Sequence, residues 1–163
     1  MRTRWKTTTL AFGVCWFLAV LAANVYASTP SPLNGTFSAT IAPVASRSAD
    51  GNTFISFTFN EIFTGTISGT RVGEGTLVVH PDGTFNARDA GLFTGTIGGA
   101  PGTATLAGDI TGVFGFSLEA RFVVSDGAGG LAGVHAEGSA TGSPTGPVSF
   151  AGTYSGLVES GAP

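Results

Sequence analysis

The chain has 163 residues, about one domain's worth, with 7 basic and 10 acidic side chains and only 10% of its positions charged. Glycine contributes 26 residues, and threonine and serine fill much of the remainder. That balance excludes a coiled coil, a large helical bundle and a highly charged disordered tail.

Residues 1–27 read as a secretory signal peptide. Arg2, Arg4 and Lys6 form a basic start, and Leu10 to Ala23 is an apolar run of 14 residues without a charge. Asn24-Val25-Tyr26-Ala27 places small or β-branched residues where a signal peptidase reads. Ser28-Thr29-Pro30-Ser31-Pro32 then follows and cannot continue a helix. The apolar run falls short of the ~20 residues of a spanning helix, so cleavage after Ala27 is expected over retention as an anchor. Cys15 lies inside the run behind Val14, where a small residue is wanted, which argues against a lipoprotein signal. No second apolar run follows, so no helical membrane span is expected in the mature chain. The expected localisation is secreted or periplasmic. The remaining divisions are a flexible N-terminal segment at 28–33, one folded domain at 34–158 and a disordered tail at 159–163.

Cleavage would change the chemistry of the chain. The lone Cys, the lone Met, both Trp and the lone Lys all precede Ser28. What remains carries four Arg (47, 71, 88, 121) against ten acids, net −6 with His neutral. No disulfide can form, although an exported compartment would permit one, so the core alone must hold the fold. A nucleic-acid partner needs a basic patch to neutralise phosphates, and four scattered Arg do not make one. A polybasic membrane-surface patch is excluded on the same ground.

Helical periodicity is absent. Period-2 alternation recurs instead, interrupted by Gly, Pro, Asp and Asn, and predicts eight strands near 34–43, 53–67, 71–80, 84–97 (with a break near 89–91), 102–110, 113–125, 132–142 and 147–158. Turns are expected at Asp50-Gly51-Asn52, Pro81-Asp82-Gly83, Gly98 to Gly102, Asp126 to Gly130 and Ser143 to Pro147. Such short links join antiparallel neighbours, because a parallel crossover needs a dozen residues or more.

The alternation also sorts side chains by face. Phe114, Phe116, Leu118, Ala120, Phe122 and Val124 share one parity; Ile55, Phe57, Phe59, Phe63 and Ile67 share another strand's inner parity. Phe93 and Ile97, and then Val148, Phe150 and Tyr154, repeat the pattern. One face is rich in Phe and the other in Thr and Ser, as in antiparallel sheets with one wet face. Convergence of the rings on one core favours a meander closed into a barrel, which also removes edge strands. A two-layer sandwich is the alternative. Gly65, Gly95, Gly133, Gly152 and Gly156 inside strands suit barrel bends.

Phe63-Thr64-Gly65-Thr66-Ile67-Ser68-Gly69 recurs as Phe93-Thr94-Gly95-Thr96-Ile97-Gly98-Gly99, with fainter echoes at 106–112 and 150–156. The spacing is irregular, which fits similar strand ends in a small barrel better than a solenoid. Together with Gly73-Glu74-Gly75-Thr76, His80-Pro81-Asp82-Gly83-Thr84 and the stretch Gly127 to Gly138, these motifs resemble the bacterial domain-of-unknown-function family 3224. That family is grouped with the allene oxide cyclase barrels, and the likeness spans about 34–158. The resemblance implies an eight-stranded antiparallel barrel, oligomeric in some members, and no established activity. Allene oxide cyclases bind a fatty-acid-derived substrate inside the barrel. Their catalytic set finds no residue-by-residue match here, so no role is carried over. The signal peptide and the glycine-rich composition depart from typical members. The expected fold class is all-β: an eight-stranded antiparallel β-barrel, allene oxide cyclase-like or calycin-like.

Glu61 is the candidate catalytic residue, because it shares the parity of Phe57, Phe59 and Phe63. A carboxylate on that apolar face must be protonated, paired with an Arg, solvated by a cavity, or turned outward by a bulge or a place at the barrel mouth. In a cavity it would suit a general acid, a base or a polar anchor. The candidate ligand-binding set is Phe57, Phe59, Glu61, Phe116 and Tyr154. The Tyr154 hydroxyl would meet either a ligand or a backbone carbonyl. His80 with Asp82, and His135 with Glu137, have a spacing that could hold a metal, but exposed strand residues explain both pairs; no metal and no cofactor is expected. Asn34-Gly35-Thr36 is a glycosylation sequon.

Three functions remain in view. The first is a barrel that binds a small apolar or amphipathic molecule. The second is a barrel isomerase or cyclase using Glu61 with Tyr154. The third is a non-catalytic surface or assembly module, for which a homo-oligomer is the expected partner. The export reading has a direct test: N-terminal sequencing of the protein recovered from outside the cytoplasm should begin at Ser28, and a retained Met1 would overturn it.

Overall fold

The structure, a computed structural model, describes residues 29–159. The expected signal peptide and most of the expected tail lie outside the described residues. Eight strands follow one another: β1 (Ser31–Ala49), β2 (Asn52–Gly65), β3 (Ile67–Val79), β4 (Thr84–Ile97), β5 (Ala100–Val113), β6 (Ser117–Gly129), β7 (His135–Gly146) and β8 (Ser149–Glu159). Each pairs antiparallel with the next, and β1 pairs with β8 from Ser31↔Val158 to Thr40↔Ser149, so the sheet closes into a barrel. Closure excludes the sandwich.

Several boundaries differ from the expected ones. β1 begins at Ser31 rather than beyond residue 33, and Leu33 is 2% exposed, so the end of the supposedly flexible segment is strand. β4 runs unbroken through 89–91. Asp126 to Gly129 and Ser143 to Gly146, expected as turns, continue β6 and β7; irregular register at Thr103/Thr105 and Pro144/Gly146 absorbs their unusual backbone. β1 likewise passes Pro43 through a register shift between Pro43 and Ala45. Proline lacks an N–H for the ladder, and a bulge is where a sheet tolerates it.

The largest correction concerns residues 113–116. Val113 ends β5, and Phe114 to Phe116 form a tight turn in which the Phe116 N–H donates to the Val113 carbonyl at 3.0 Å. Gly115 has φ +81°, outside the pleat. Side-chain alternation cannot be carried across such a residue, so Phe114 and Phe116 do not share the inner face of Phe122. Phe116 is 76% exposed.

Two further expectations fail beside turns: Val148, expected inward with Phe150 and Tyr154, is exposed in the β7–β8 link, and Gly133, expected inside a strand, lies in the β6–β7 link with φ +72°. Parity holds along the rest of the strands. Inward residues of the strands, joined by Leu131 and Val134 of the β6–β7 link, form two buried groups. The larger contains Leu33, Phe63, Ile67, Phe93, Ile97, Leu131 and Tyr154 and fills the end of the barrel bounded by the β2–β3, β4–β5 and β6–β7 links. The smaller contains Phe57, Phe59, Leu77, Phe85 and Ala87 and lies toward the opposite end, the mouth. Glycines on neighbouring strands act as sockets for the rings. A Cβ on Gly75 would stand 2.5 Å from Phe57 Cζ, and one on Gly138 would stand 2.5 Å from Phe122 Cζ. The outer face is largely Thr and Ser, yet it also exposes Ile62, Val72 and Leu92.

Phe93 and Phe116 separate the two environments. Phe93→Ala empties a site with no exposure and should cost about 3–5 kcal/mol, whereas Phe116→Ala should change stability by less than about 0.5 kcal/mol. Urea denaturation of the two variants measures both, and equal losses would refute this placement of the rings.

Candidate functional site

Between the two apolar groups lies one charged layer. Glu61 on β2 and Arg71 on β3 are direct cross-strand partners, and both side chains point inward. Asp89 reaches the same layer from β4, where it pairs with Gly75 on one side and Gly108 on the other. Gly108 makes room for it: a Cβ there would lie 2.8 Å from Asp89 Oδ1.

Arg71 is 4% exposed and is, among the described residues, the charged side chain most removed from solvent. Its Nη1 donates to Glu61 Oε2 at 3.0 Å, and its Nη2 donates to Asp89 Oδ1. Nε and Nη2 also donate to the Leu106 carbonyl of β5, at 3.1 and 2.9 Å. The guanidinium carbon stands 4.5 Å from the centroid of the Phe59 ring, a cation–π contact. Of the states open to Glu61 from sequence, pairing with an Arg is observed, and the carboxyl also borders an interior cavity. The register from Thr58 to Phe63 is regular, so no bulge turns it outward.

Burial pushes the Glu61 carboxyl above its ordinary value. The Arg71 charge and hydrogen bond pull it back, and the negative charge of Asp89 adds to the rise. Desolvation outweighs the pairing because the carboxyl is largely removed from solvent while Arg71 divides its attraction between two carboxylates.

At the level of this layer and above it the barrel is not filled. A cavity of about 130 Å³ runs from Tyr154 and Leu106 to Val113 and Phe114 at the mouth. Its lining is mostly apolar, with Glu61, Arg71 and Asp89 as its charged members. Phe114 borders the cavity and is 51% exposed, so the cavity reaches the surface there.

Of the residues named from sequence, Phe57, Phe59, Glu61 and Tyr154 line this cavity, and Phe116 does not. Phe114, two positions earlier, takes the place expected for Phe116. Tyr154 presents only its ring. Its hydroxyl accepts from the Ile67 N–H at 2.8 Å and faces the Ile67 and Thr64 carbonyls at 3.0 and 3.4 Å, so it closes the barrel floor. Burial raises the Tyr154 pKa above its ordinary value.

The two His pairs do not meet. His80 lies at the mouth, held between Asn52 Oδ1 at 2.8 Å and Asn86 Nδ2 at 2.9 Å, whereas His135 begins β7 at the closed end. Asp82 caps the Thr84 N–H and hydroxyl, which lowers its pKa. Among the described residues, no group of three His, Cys, Asp or Glu is placed to hold a metal ion.

Reasoning from sequence did not single out Arg71 and Asp89. The signal was present: Arg71 shares the parity of Ile67 and Leu77, and Asp89 that of Phe85 and Phe93.

A solved protein of unknown function from the DUF3224 family of Shewanella oneidensis MR-1 has the same fold, with a TM-score of 0.65 and 15% sequence identity over 82% of this chain and 100% of that chain. At that identity the likeness concerns the fold alone. It agrees with the DUF3224 resemblance and does not extend to allene oxide cyclases. No family model matches the chain, and no curated protein does.

The charged layer makes an energetic prediction. Arg71→Met leaves two interior carboxylates unpaired and should cost about 3–5 kcal/mol at neutral pH. Glu61→Gln should behave differently with pH. Because the folded pKa of Glu61 lies above the unfolded one, its contribution is intact below the unfolded value near 4.5 and is lost as pH rises through the folded value. Urea midpoints measured from acid to neutral pH should therefore show wild type losing ground to Glu61→Gln as pH rises across that window. A constant gap would contradict the raised pKa.

Proposed function

We propose that this is an exported barrel protein that holds a small apolar or amphipathic molecule between its strands. One observation supports the reading most: a surface-connected, aromatic-lined cavity of about 130 Å³ inside a closed barrel. An engineered core cavity of ~150 Å³ lined by Leu, Ile and Phe stays dry and binds benzene, so a space of this size suits a single ring or a short alkyl body. A few polar groups within an apolar lining are the usual composition of a small-molecule site.

The alternative, an isomerase or cyclase, keeps Glu61 as a candidate acid or base but loses Tyr154. A hydroxyl that binds the Ile67 backbone in both directions is not free to assist a substrate.

Ligand-observed NMR with toluene and indole tests the binding reading. Ala140 lines the cavity and is only half-buried, so Ala140→Leu should fill the space without breaking the ladder. Saturable binding to wild type, lost in Ala140→Leu, is the expected result. Binding that the substitution leaves unchanged would place the probes elsewhere and overturn the reading.

A further inference from the structure

The cavity has a head-group preference written into its hydrogen-bond inventory. A guanidinium has five N–H donors. In Arg71 four donor contacts are made: Nε and Nη2 to the Leu106 carbonyl, Nη1 to Glu61, and Nη2 to Asp89. At most one hydrogen on Nη1 is left. On the acceptor side, Glu61 uses only Oε2 and Asp89 only Oδ1 among the described residues. Among the described residues, no buried side-chain N or O is sealed away without a partner, so Glu61 Oε1 and Asp89 Oδ2 both retain access to the cavity they line. The Asp89 side chain is 9% exposed, and that of Glu61 12%. The layer is thus short of donors and rich in acceptors.

Charge points the same way. Two carboxyl groups face one guanidinium, so acidic groups outnumber basic ones in the layer. A ligand carboxylate would add a third acid and find Arg71 already engaged, whereas a ligand cation would even the balance.

We infer that the cavity takes a molecule with a cationic, hydrogen-bond-donating head, a primary ammonium on an apolar body of about six or seven carbons, and that the free oxygens of Glu61 and Asp89 receive that head. The inference rests on the ligand-binding reading above and adds the class of ligand. The rings of Phe57, Phe59 and Phe85 take the body, and the mouth beside Phe114 is the way in. Carboxylate-headed lipids are disfavoured. The groups that face Glu61 are Arg71 of β3, Asp89 of β4 and the Leu106 carbonyl of β5; the Tyr154 hydroxyl of β8 is held at the floor.

Calorimetric titration of the full exported chain with benzylammonium, benzyl alcohol and benzoate tests this, since the three share a ring and differ in the head. At neutral pH benzylammonium should bind at least ~10-fold more tightly than benzoate, the scale of one charge-assisted hydrogen bond, with the alcohol between them. Glu61→Gln should remove most of that preference. Should that variant fail to fold, wild type alone supplies the readout. Benzylammonium binding should strengthen as pH rises above the acid range and release a proton from Glu61, whereas benzyl alcohol binding should not strengthen. Equal affinities, or a preference for benzoate, would overturn the head-group inference while leaving the cavity reading intact. Failure of all three probes, with toluene and indole also unbound, would overturn both.

Discussion

The interior of this barrel is organised by one buried guanidinium. Arg71 draws Glu61 and Asp89 inward across three consecutive strands and anchors on the Leu106 carbonyl of a fourth. A charge taken out of water is tolerated only when its hydrogen bonds are met. Arg71 meets that condition with four of its five donors but leaves each carboxylate half-satisfied. Glu61 Oε1 and Asp89 Oδ2 need either water or a ligand beside them. The apolar side chains could have closed over this level only by stranding those oxygens. The cavity and the charged layer are therefore two consequences of one constraint.

Without a disulfide in the described barrel, the walls must hold by packing, and glycine is how they do so. The rings of Phe57, Phe59 and Phe122 lie over glycines of adjacent strands, where a methyl group would stand 2.5 to 2.8 Å from a ring carbon. A flat ring over a bare backbone fills space that two side chains would contest. The glycine content that looks like low complexity in the sequence is thus paired with the phenylalanine content. Gly108 belongs to the same scheme but admits a carboxylate instead of a ring, so the charged layer exploits the packing device that builds the core.

Most of the architecture was legible from alternation. The strand count, the antiparallel meander, closure and the inward placement of Phe57, Phe59, Glu61, Phe63, Phe122 and Tyr154 all follow from period-2 reading. The failures have local causes. Phe116 was misplaced because parity was carried through Gly115, whose φ of +81° ends the pleat. Asp89 was hidden by an expected break at 89–91, where glycine inside a continuous strand looked like a turn. Arg71 stood at an expected strand end, so its parity with Ile67 and Leu77 was not followed inward. Parity can also show that Glu61 faces the core but not which of its possible compensations operates, because that depends on cross-strand register. The pairing Glu61↔Arg71 is fixed by the short β2–β3 corner, which the Tyr154 hydroxyl and Thr66 tie down.

A fold shared at 15% identity leaves the interior free to differ. A closed eight-stranded ring specifies which positions point inward and roughly how much room they enclose. It does not specify what is placed there. In this chain three inward positions, 61, 71 and 89, decide whether the enclosed space is a plain apolar core or a cavity with an acidic edge. Replacing them with aliphatic residues of similar size would satisfy every requirement of the barrel and remove the reason for the cavity. Such a substitution is often neutral or favourable for stability when a buried ion pair is exchanged as a whole. The charged layer is therefore poorly accounted for by folding alone, and this is the physical ground on which the binding proposal stands.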